Sequence, residues 1–201
     1  MCISTALLQE YGASLNRFKK SEFLFHEKWP AHFYFQVEEG SIKMTNQAEH
    51  CDFIQGVFLP GESFGEPPLI GNFPYPANAQ AITDSKVWVL GKQAFLSLLK
   101  ENFEVHFCFT QTLAWRLCYK ANLLKDMAIL PPEQRLLNVI DYFKCKQELK
   151  QGYKSSSYEV PFTRQLLADM TGLRVETVIR KIQQLSELNK LSIIESKVYR
   201  P

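Results

Sequence analysis

The 201-residue sequence has no uninterrupted apolar run close to the roughly 20 residues that a helix needs to cross a membrane. Its first residues also lack the basic stretch followed by an apolar stretch that marks a secretory signal. Both absences favour a protein of the cytoplasm that does not insert in a membrane.

Cysteine is scarce and shows no pattern. The five cysteines are Cys2, Cys51, Cys108, Cys118 and Cys145, and no two of them form a CxxC pair. An odd, scattered set argues for a reducing compartment and against both a disulfide framework and a structural zinc site. Cys108 and Cys118 fall roughly 80° apart and ten residues apart along one predicted helix, so they do not converge on one ion, and the four histidines have no ligand spacing. We therefore expect no metal and no cofactor.

The motifs of the commonest catalytic sites are missing as well. The sequence contains no phosphate-binding P-loop, no GxSxG nucleophile elbow, no HExxH zinc pair and no GxGxxG dinucleotide loop. These absences favour a binding protein over an enzyme.

Lysine and arginine are not spread evenly along the chain. Residues 1–131 contain 11 Lys or Arg against 13 Asp or Glu, a net charge of −2, whereas residues 132–201 contain 12 against 8, a net charge of +4. A basic excess confined to the C-terminal third favours a nucleic-acid partner for that part of the chain.

The C-terminal third contains two short helical patterns joined at a glycine. In the first, Leu166, Leu167 and Met170 fall at helical spacing. Thr163 precedes them as a plausible N-cap, and Gly172 follows them as the turn. The second has a polar outer face and an apolar stripe, which comprises Val175, Val178, Ile182 and Leu185. The pattern alone fits either a helical hairpin in a core or a helix-turn-helix whose second helix enters the major groove of DNA.

The residues that follow favour the helix-turn-helix. Ile193-Ile194 and Val198-Tyr199 are β-forming pairs on either side of the polar turn 195–197. A strand pair directly after the second helix is the wing of a winged helix, which a core hairpin does not require.

At these residues the sequence resembles the CRP/FNR family of bacterial transcription regulators. The block GLRVETVIR, from Gly172 to Arg180, resembles the family's G-L-x-x-E-T-x-x-R recognition-helix signature. A weaker resemblance extends over nearly the whole chain. It implies a transcription regulator that binds a palindromic DNA site as a homodimer.

Val175, Glu176 and Arg180 are the candidates for reading bases. Arginine can donate to guanine O6 and N7, glutamate can accept from cytosine N4, and valine can lie against a thymine methyl. The block Val175-Glu176-Thr177 resembles the oxygen-sensor branch of the family, which implies an inverted repeat similar to TTGA-N6-TCAA. Ile179 departs from that branch, which has serine there. The candidates for positioning contacts to phosphates are Thr163, Arg164, Gln165, Arg174, Thr177 and Lys181.

Upstream, the sequence from Glu22 to Leu90 consists of short strand patterns divided by turn residues. The candidate strands are 23–25, 32–37, 41–44, 53–59 and 86–90. They predict a β-roll, which the resemblance identifies with the family's cyclic-nucleotide-binding-like domain. Residues 1–20 are expected to form a helical lead-in that includes Leu15.

The effector pocket that the resemblance implies is incomplete. In nucleotide-binding relatives a Gly-Glu pair opens a short helix at the cyclic phosphate, the Glu holds the ribose hydroxyl, and a later Arg neutralises the phosphate. Gly65 and Glu66 match, but two prolines without N–H groups follow, and no Lys or Arg lies between Lys43 and Lys86. A buried phosphate without a cation is strongly disfavoured. We therefore expect a degenerate pocket without a response to cyclic AMP; its candidate residues are Gly65, Glu66, Tyr75 and Asn78.

A long helix is predicted over residues 92–130, where Pro131 and Pro132 end it. Within it, apolar or small residues recur at steps of four and three from Phe103 to Ala128, the pattern of a two-stranded coiled coil. The resemblance places the family's dimerisation helix here. The seam candidates are Phe107, Thr110, Ala114, Leu117, Ala121 and Leu124.

A long helix packed against the β-roll is the alternative to the seam. Its contacts would come from flanking aromatic residues, Phe109, Trp115 and Tyr119. The two interpretations are compatible because they use different faces of the helix.

Together these features predict an α+β protein of three parts. A β-roll, or cyclic-nucleotide-binding-like jelly roll, occupies residues 1–100, a dimerisation helix and hinge 101–130, and a winged helix-turn-helix 131–201. The alternative function is a cyclic-nucleotide-binding regulatory protein with a non-standard phosphate site. The implied partners are double-stranded DNA, a second copy of the chain, RNA polymerase and an unidentified small-molecule effector.

Overall fold

The computed structural model describes residues 3–47 and 52–201, and the chain divides into two compact units, residues 1–118 and 119–201. Cys2, His50 and Cys51, which the metal and disulfide arguments used, lie outside the described residues. Within the described part of the chain, no helix combines the length and apolar character needed to cross a membrane.

The first unit contains two four-stranded antiparallel sheets, with strand orders β1-β8-β3-β6 and β2-β7-β4-β5. The strands are β1 (Ser14–Phe18), β2 (Phe23–Phe25), β3 (Phe33–Glu39), β4 (Ile42–Gln47), β5 (Asp52–Phe58), β6 (Ser63–Phe64), β7 (Asn78–Ala81) and β8 (Ser85–Gly91). Tyr34 and Val87 from one sheet and Phe25 and Ile42 from the other belong to a single buried cluster. The core of the β-roll therefore lies between the two sheets.

Among the described residues of this unit four helices begin: α1 (Thr5–Glu10), α2 (Glu66–Gly71), α3 (Lys92–Glu101) and α4 (Phe103–Ile129), the last of which ends in the second unit. Phe95 of α3 stacks on Tyr34 with ring centroids 4.7 Å apart, and Phe109 of α4 meets Phe95 edge-on at 5.6 Å. Both helices are thereby packed against the β-roll through buried aromatic rings.

The second unit is a small helical domain with a three-stranded sheet of order β10-β11-β9. Its elements are α5 (Pro132–Gln151), β9 (Tyr158–Glu159), α6 (Arg164–Thr171), α7 (Val175–Glu187), β10 (Ser192–Ile194) and β11 (Lys197–Arg200). Thr163 caps α6, because its hydroxyl accepts from the Leu166 N–H at 3.1 Å. Gly172 ends α6 with φ of +66°, a left-handed conformation that favours glycine.

The predicted fold class, an α+β protein with an N-terminal β-roll, a long helix and a C-terminal winged helix-turn-helix, is confirmed. Two details differ. The lead-in helix ends at Glu10, since Gly12 adopts φ of +83° and the chain beyond it pairs with β8, Leu15 opposite Trp88. The long helix is also interrupted, because α3 ends at Glu101 before α4 begins.

The three aromatic residues beside the seam lie in different surroundings. Phe109 is buried in the core of the β-roll, whereas Trp115 is 77% exposed and packs against neither sheet. Tyr119 lies in the second unit, where it stacks on Tyr142 at 3.8 Å. The prediction that all three pack on the β-roll is therefore wrong for Trp115, because only the face of α4 that carries Phe109 is turned toward the sheets.

Candidate nucleic-acid interface and effector pocket

The second helix of the helix-turn-helix, α7, turns its polar residues outward. Its buried side chains are Val178, Ile182 and Leu185, which recur at steps of four and three. Glu176 and Arg180 lie on the opposite side and are both exposed. A carboxylate in the first turn is also favourable to the helix dipole. The structure thus leaves the two predicted base-reading side chains of this face accessible to a groove.

Val175 takes a different position from the other two base-reading candidates. It is the first residue of α7, and it lies half-buried at the edge of the buried stripe. Its role in base reading stays a prediction.

The phosphate-contact candidates at the start of α6 already have structural partners. Arg164 donates from Nη2 to the carbonyl oxygen of Ser196 at 3.0 Å, and so ties α6 to the turn of the wing. Gln165 donates to Asp169 Oδ1 at 2.7 Å. Thr163 is the cap of α6 and is exposed. These residues lie at the N-terminal end of α6, where free N–H groups favour an anion.

The remaining candidates lie around the start of α7. Arg174 is the N-cap residue and is exposed, whereas Thr177 is half-buried. Lys181 lies one turn further on, where its ammonium is 3.1 Å from Glu133 Oε2 in the first turn of α5. The N–H of Glu133 itself and then Lys181 hold the pKa of that carboxyl below its usual range. Sequence reasoning missed this ion pair, which braces α7 against α5.

The wing is anchored through its last strand. The Arg200 guanidinium donates to both carboxylate oxygens of Asp141, at 2.6 and 3.1 Å. This contact raises the pKa of Arg200. Arg200 also donates to the carbonyl oxygen of Lys190 at 2.9 Å, just after α7. The wing, α5 and the end of α7 are therefore fixed to one another.

In the first unit, Gly65 opens α2 as predicted, with φ of +78°. A side chain at this position would be strained, and its Cβ would lie 3.1 Å from the Phe35 ring. Glu66, the next residue, is 1% exposed. The Gly-Glu pair therefore serves the turn between β6 and α2.

The carboxylate of Glu66 is bonded to an arginine of the same unit. Arg116 of α4 donates from Nη1 to Glu66 Oε1 at 3.0 Å and to Oε2 at 3.3 Å. Its Nη2 donates to the Ser63 carbonyl oxygen at 2.6 Å, and the guanidinium lies over the Phe58 ring, 5.3 Å from its centroid. The group that holds a ribose hydroxyl in nucleotide-binding relatives is thus paired within the chain.

The other two pocket candidates also have structural partners. Tyr75 is buried against Phe25, with ring centroids 3.7 Å apart, and it donates to the Phe33 carbonyl oxygen at 3.0 Å. Burial raises the pKa of Tyr75. The Asn78 amide oxygen accepts from the N–H of Glu27 at 2.9 Å. Neither side chain brings positive charge toward Glu66.

The seam candidates on α4 are all exposed. Phe107 is 52% exposed, Leu117 70% and Leu124 69%, and the small residues between them are exposed as well. Large apolar side chains recurring on one face of a helix are costly to leave in water. The seam is thus open to a partner.

Comparison with known proteins follows the same division of the chain. The family model described as "Cyclic nucleotide-binding domain" matches residues 15–102, and the one described as "Crp-like helix-turn-helix domain" matches residues 134–198. This chain belongs to the CRP/FNR family of transcription regulators. Members of the family bind DNA through the helix-turn-helix and are not, in general, enzymes.

Solved structures show the same fold over nearly the full length. FixK2 from Bradyrhizobium japonicum is similar with a TM-score of 0.76 and 20% identity, over 94% of this chain and 92% of that one. A CooA mutant from Carboxydothermus hydrogenoformans gives a TM-score of 0.78 and 15% identity, over 98% and 85%. The c-di-GMP responsive regulator CLP of Xanthomonas campestris gives 0.74 and 18%, over 97% and 98%. No curated protein matches the sequence.

Over residues 3–47 and 52–201, no group of three or more His, Cys, Asp or Glu side chains is arranged to hold a metal ion.

Proposed function

We propose that this CRP/FNR-family protein binds a palindromic DNA site as a homodimer and regulates transcription in the cytoplasm without responding to cyclic AMP. In this proposal residues 1–100 form the effector-like domain, 101–130 the dimerisation helix and hinge, and 131–201 the DNA-binding domain. RNA polymerase is a further partner that follows from the family. Any small-molecule effector differs from cyclic AMP.

One observation carries the DNA-binding proposal: α7 exposes Glu176 and Arg180 on the face opposite its buried stripe. The two residues are four apart, so they lie side by side on the helix surface. A carboxylate so placed can accept from cytosine N4, and the guanidinium can donate to guanine O6 and N7. They favour a half-site similar to TTGA.

Pairing of α4 with a second copy supports the palindrome. A dimer about a twofold axis presents two copies of α7 in opposite orientations, so its half-sites form an inverted repeat about one helical turn apart. The exposed seam, from Phe107 to Leu124, supplies the apolar face for such a dimer.

The pairing of Glu66 with Arg116 supports the absence of a cyclic AMP response. A bound nucleotide would need the carboxylate for its ribose and a cation for its phosphate, and no Lys or Arg lies between Lys43 and Lys86. The same contact weighs against a nucleotide-binding regulatory protein as the function.

Selection of bound duplexes from a random pool tests the proposal. We expect the full chain to select an inverted repeat and Arg180→Ala to lose the preference at one guanine, at a cost of about 1–3 kcal/mol. Arg17→Ala, an exposed arginine on β1, is the matched control and should select the wild-type site. Selected sequences without twofold symmetry, or an unchanged guanine preference in Arg180→Ala, would contradict the assignment.

A further inference from the structure

A cleft opens between the end of α4 and the helix α5, within the second unit. Its volume is about 360 Å³, which is within the range of small-molecule sites. It is lined by residues of this unit, among them Lys125 and Asp126 of α4 and Asn138 of α5. Among the described residues that line it there is no base-reading or phosphate-contact candidate, so the cleft is separate from the proposed DNA-binding surface.

Two contacts between the helices lie at the ends of the cleft. At one end the rings of Tyr119 and Tyr142 stack, with their centroids 3.8 Å apart. At the other end the Asn138 amide donates to Asp126 Oδ2 at 2.7 Å. Tyr119 and Asp126 are seven residues apart on α4, so about 10 Å separates the two ends along the helix. Leu123 lines the stretch between them and is half-buried. The cleft therefore has an aromatic end, an apolar wall and a polar end.

The cleft lies on the side of α4 that faces away from the seam. Tyr119 and Asp126 each follow a seam leucine, Leu117 and Leu124, by two positions, and two positions are about 200° round the helix axis. A second copy of the chain packed on the seam would thus leave the cleft open to a ligand.

The polar end holds a carboxylate that is only partly compensated. Asp126 is 8% exposed, and the neutral Asn138 amide bonds one of its oxygens. The other oxygen, Oδ1, has the Lys125 ammonium 3.8 Å away, which is beyond hydrogen-bond distance, and the Lys125 side chain is 59% exposed. Over residues 3–47 and 52–201, Asp126 forms no closer ion pair. Because a carboxylate taken out of water is costly without a bonded cation, a ligand with a positive charge and N–H donors would complete this end.

The other lining groups favour the same chemistry. Asp141 is a second carboxylate, but Arg200 already bonds both of its oxygens, so Asp126 is the acceptor left for a ligand. Burial, and then Tyr142 and Asp126, raise the pKa of Tyr119, so its phenol stays neutral near pH 7. The tyrosine rings and Leu123 can contact an apolar body, whereas an anion would meet the Asp126 carboxylate.

We propose that this cleft is a binding site for a small organic cation with an aromatic body. The N–H donors of the cation replace Lys125 beside Asp126 Oδ1, and the aromatic body lies against Leu123 and Tyr119. The ligand thereby joins α4, which carries the seam, to α5 of the DNA-binding domain. The inference goes beyond the proposed function and does not depend on DNA binding.

Three probes of one shape and different charge test the site: benzamidine, a cation, benzamide, which is neutral, and benzoate, an anion. Titration calorimetry on the full chain should show saturable binding of benzamidine in the millimolar range, as suits so small a ligand. Benzamide should bind about tenfold more weakly or worse, since it cannot make a hydrogen bond from a charged donor, and benzoate should give no saturable heat. Shifts in the Leu123 and Val139 methyl resonances should place benzamidine in the cleft.

Four variants make the result specific. Asp126→Asn should bind benzamidine and benzamide equally. Lys125→Met removes the competing cation and should bind benzamidine up to about fivefold more tightly. Glu187→Gln, which removes an exposed carboxylate at the end of α7, is the matched control and should keep wild-type binding. Leu123→Trp should block benzamidine by filling the cleft, and it decides the case if Asp126→Asn does not fold.

Benzamidine binding that survives in both Asp126→Asn and Leu123→Trp would overturn the inference. Equal affinities of the wild-type chain for benzamidine and benzoate, or no saturable heat at millimolar benzamidine, would overturn it as well. Each of these results would leave selection of DNA by the wild-type chain, and with it the proposed function, standing.

Discussion

The Arg116 guanidinium lies 3.0 Å from Glu66 Oε1 and reaches the Ser63 carbonyl oxygen with its other terminal nitrogen at 2.6 Å. Glu66 is 1% exposed, whereas the Arg116 side chain is 24% exposed. The contact neutralises a carboxylate that the fold takes out of water, and it joins α4 to the start of α2. It is a structural bond, and it engages the carboxylate that holds a ribose hydroxyl in nucleotide-binding relatives.

Removing the arginine should therefore destabilise the first unit. Arg116→Ala leaves the Glu66 carboxylate buried without this partner, and we expect a loss of about 3 kcal/mol, the low end for breaking a buried ion pair because the arginine is partly exposed. The double variant with Glu66→Gln should recover part of that loss. Urea unfolding of the single and double variants measures both values.

Arg17→Ala is the control, and it should change the free energy of unfolding by less than about 0.5 kcal/mol, as surface substitutions do. Equal stability of Arg116→Ala and the wild-type protein would show that the carboxylate does not depend on this arginine.

Cyclic AMP should not bind with useful affinity. Residues 44–85, which contain all four pocket candidates, provide no Lys or Arg for the phosphate, and Arg116, the cation that reaches Glu66, is already bonded to that carboxylate. Titration calorimetry at millimolar nucleotide should give no saturable heat. A micromolar dissociation constant that disappears in Glu66→Gln would place the nucleotide in this pocket and refute the prediction.

The dimer should depend on the seam of α4. Leu117→Glu with Leu124→Glu would bring like charges together across a two-stranded contact, so sedimentation should show a monomer. Trp115→Glu is the matched control, since Trp115 is similarly exposed on the same helix, at 77% against 70% for Leu117 and 69% for Leu124, but lies off the seam. If the double variant still sediments as a dimer, the dimer uses another surface.

The helix-turn-helix could be predicted because its signals are local. Thr163, the apolar steps and Gly172 lie within a single stretch, and the left-handed φ at Gly172 is what its turn requires. The Arg116–Glu66 pair could not be predicted, because 50 residues separate the two side chains and only tertiary packing brings them together. The strand β7, Asn78–Ala81, was missed since its small and polar residues lack the β-branched character that marks strands.

Glu133 should contribute to the acid sensitivity of the second unit. Its N–H at the start of α5 and then Lys181 lower its pKa from the usual value of 4.5. A carboxyl with a lowered folded-state pKa stabilises the protein above its ordinary pKa, and this contribution is lost as the pH falls through the folded value. The melting temperature should thus fall less steeply in Glu133→Gln than in the wild-type protein as the pH is lowered from about 6 to about 3, and Lys181→Met should give an intermediate slope. An identical slope in all three would mean that the ion pair does not form in solution.

Substitution of Lys181 tests whether this residue, which braces α7 against α5, also positions the domain on DNA. Its ammonium is 3.1 Å from Glu133, and its side chain is 21% exposed, so a phosphate would have to share it or draw it away from the carboxylate. If Lys181 contacts a phosphate, Lys181→Ala should weaken binding to all sequences alike and reduce the salt slope of the binding constant by about one.

Arg174→Ala, which removes an exposed cation at the N-cap of α7, is the matched comparison. Anisotropy titrations between 50 and about 200 mM salt measure the slope. An unchanged slope for Lys181→Ala together with a reduced slope for Arg174→Ala would leave Lys181 a purely structural role, because its charge would then be held by Glu133 in the complex as well.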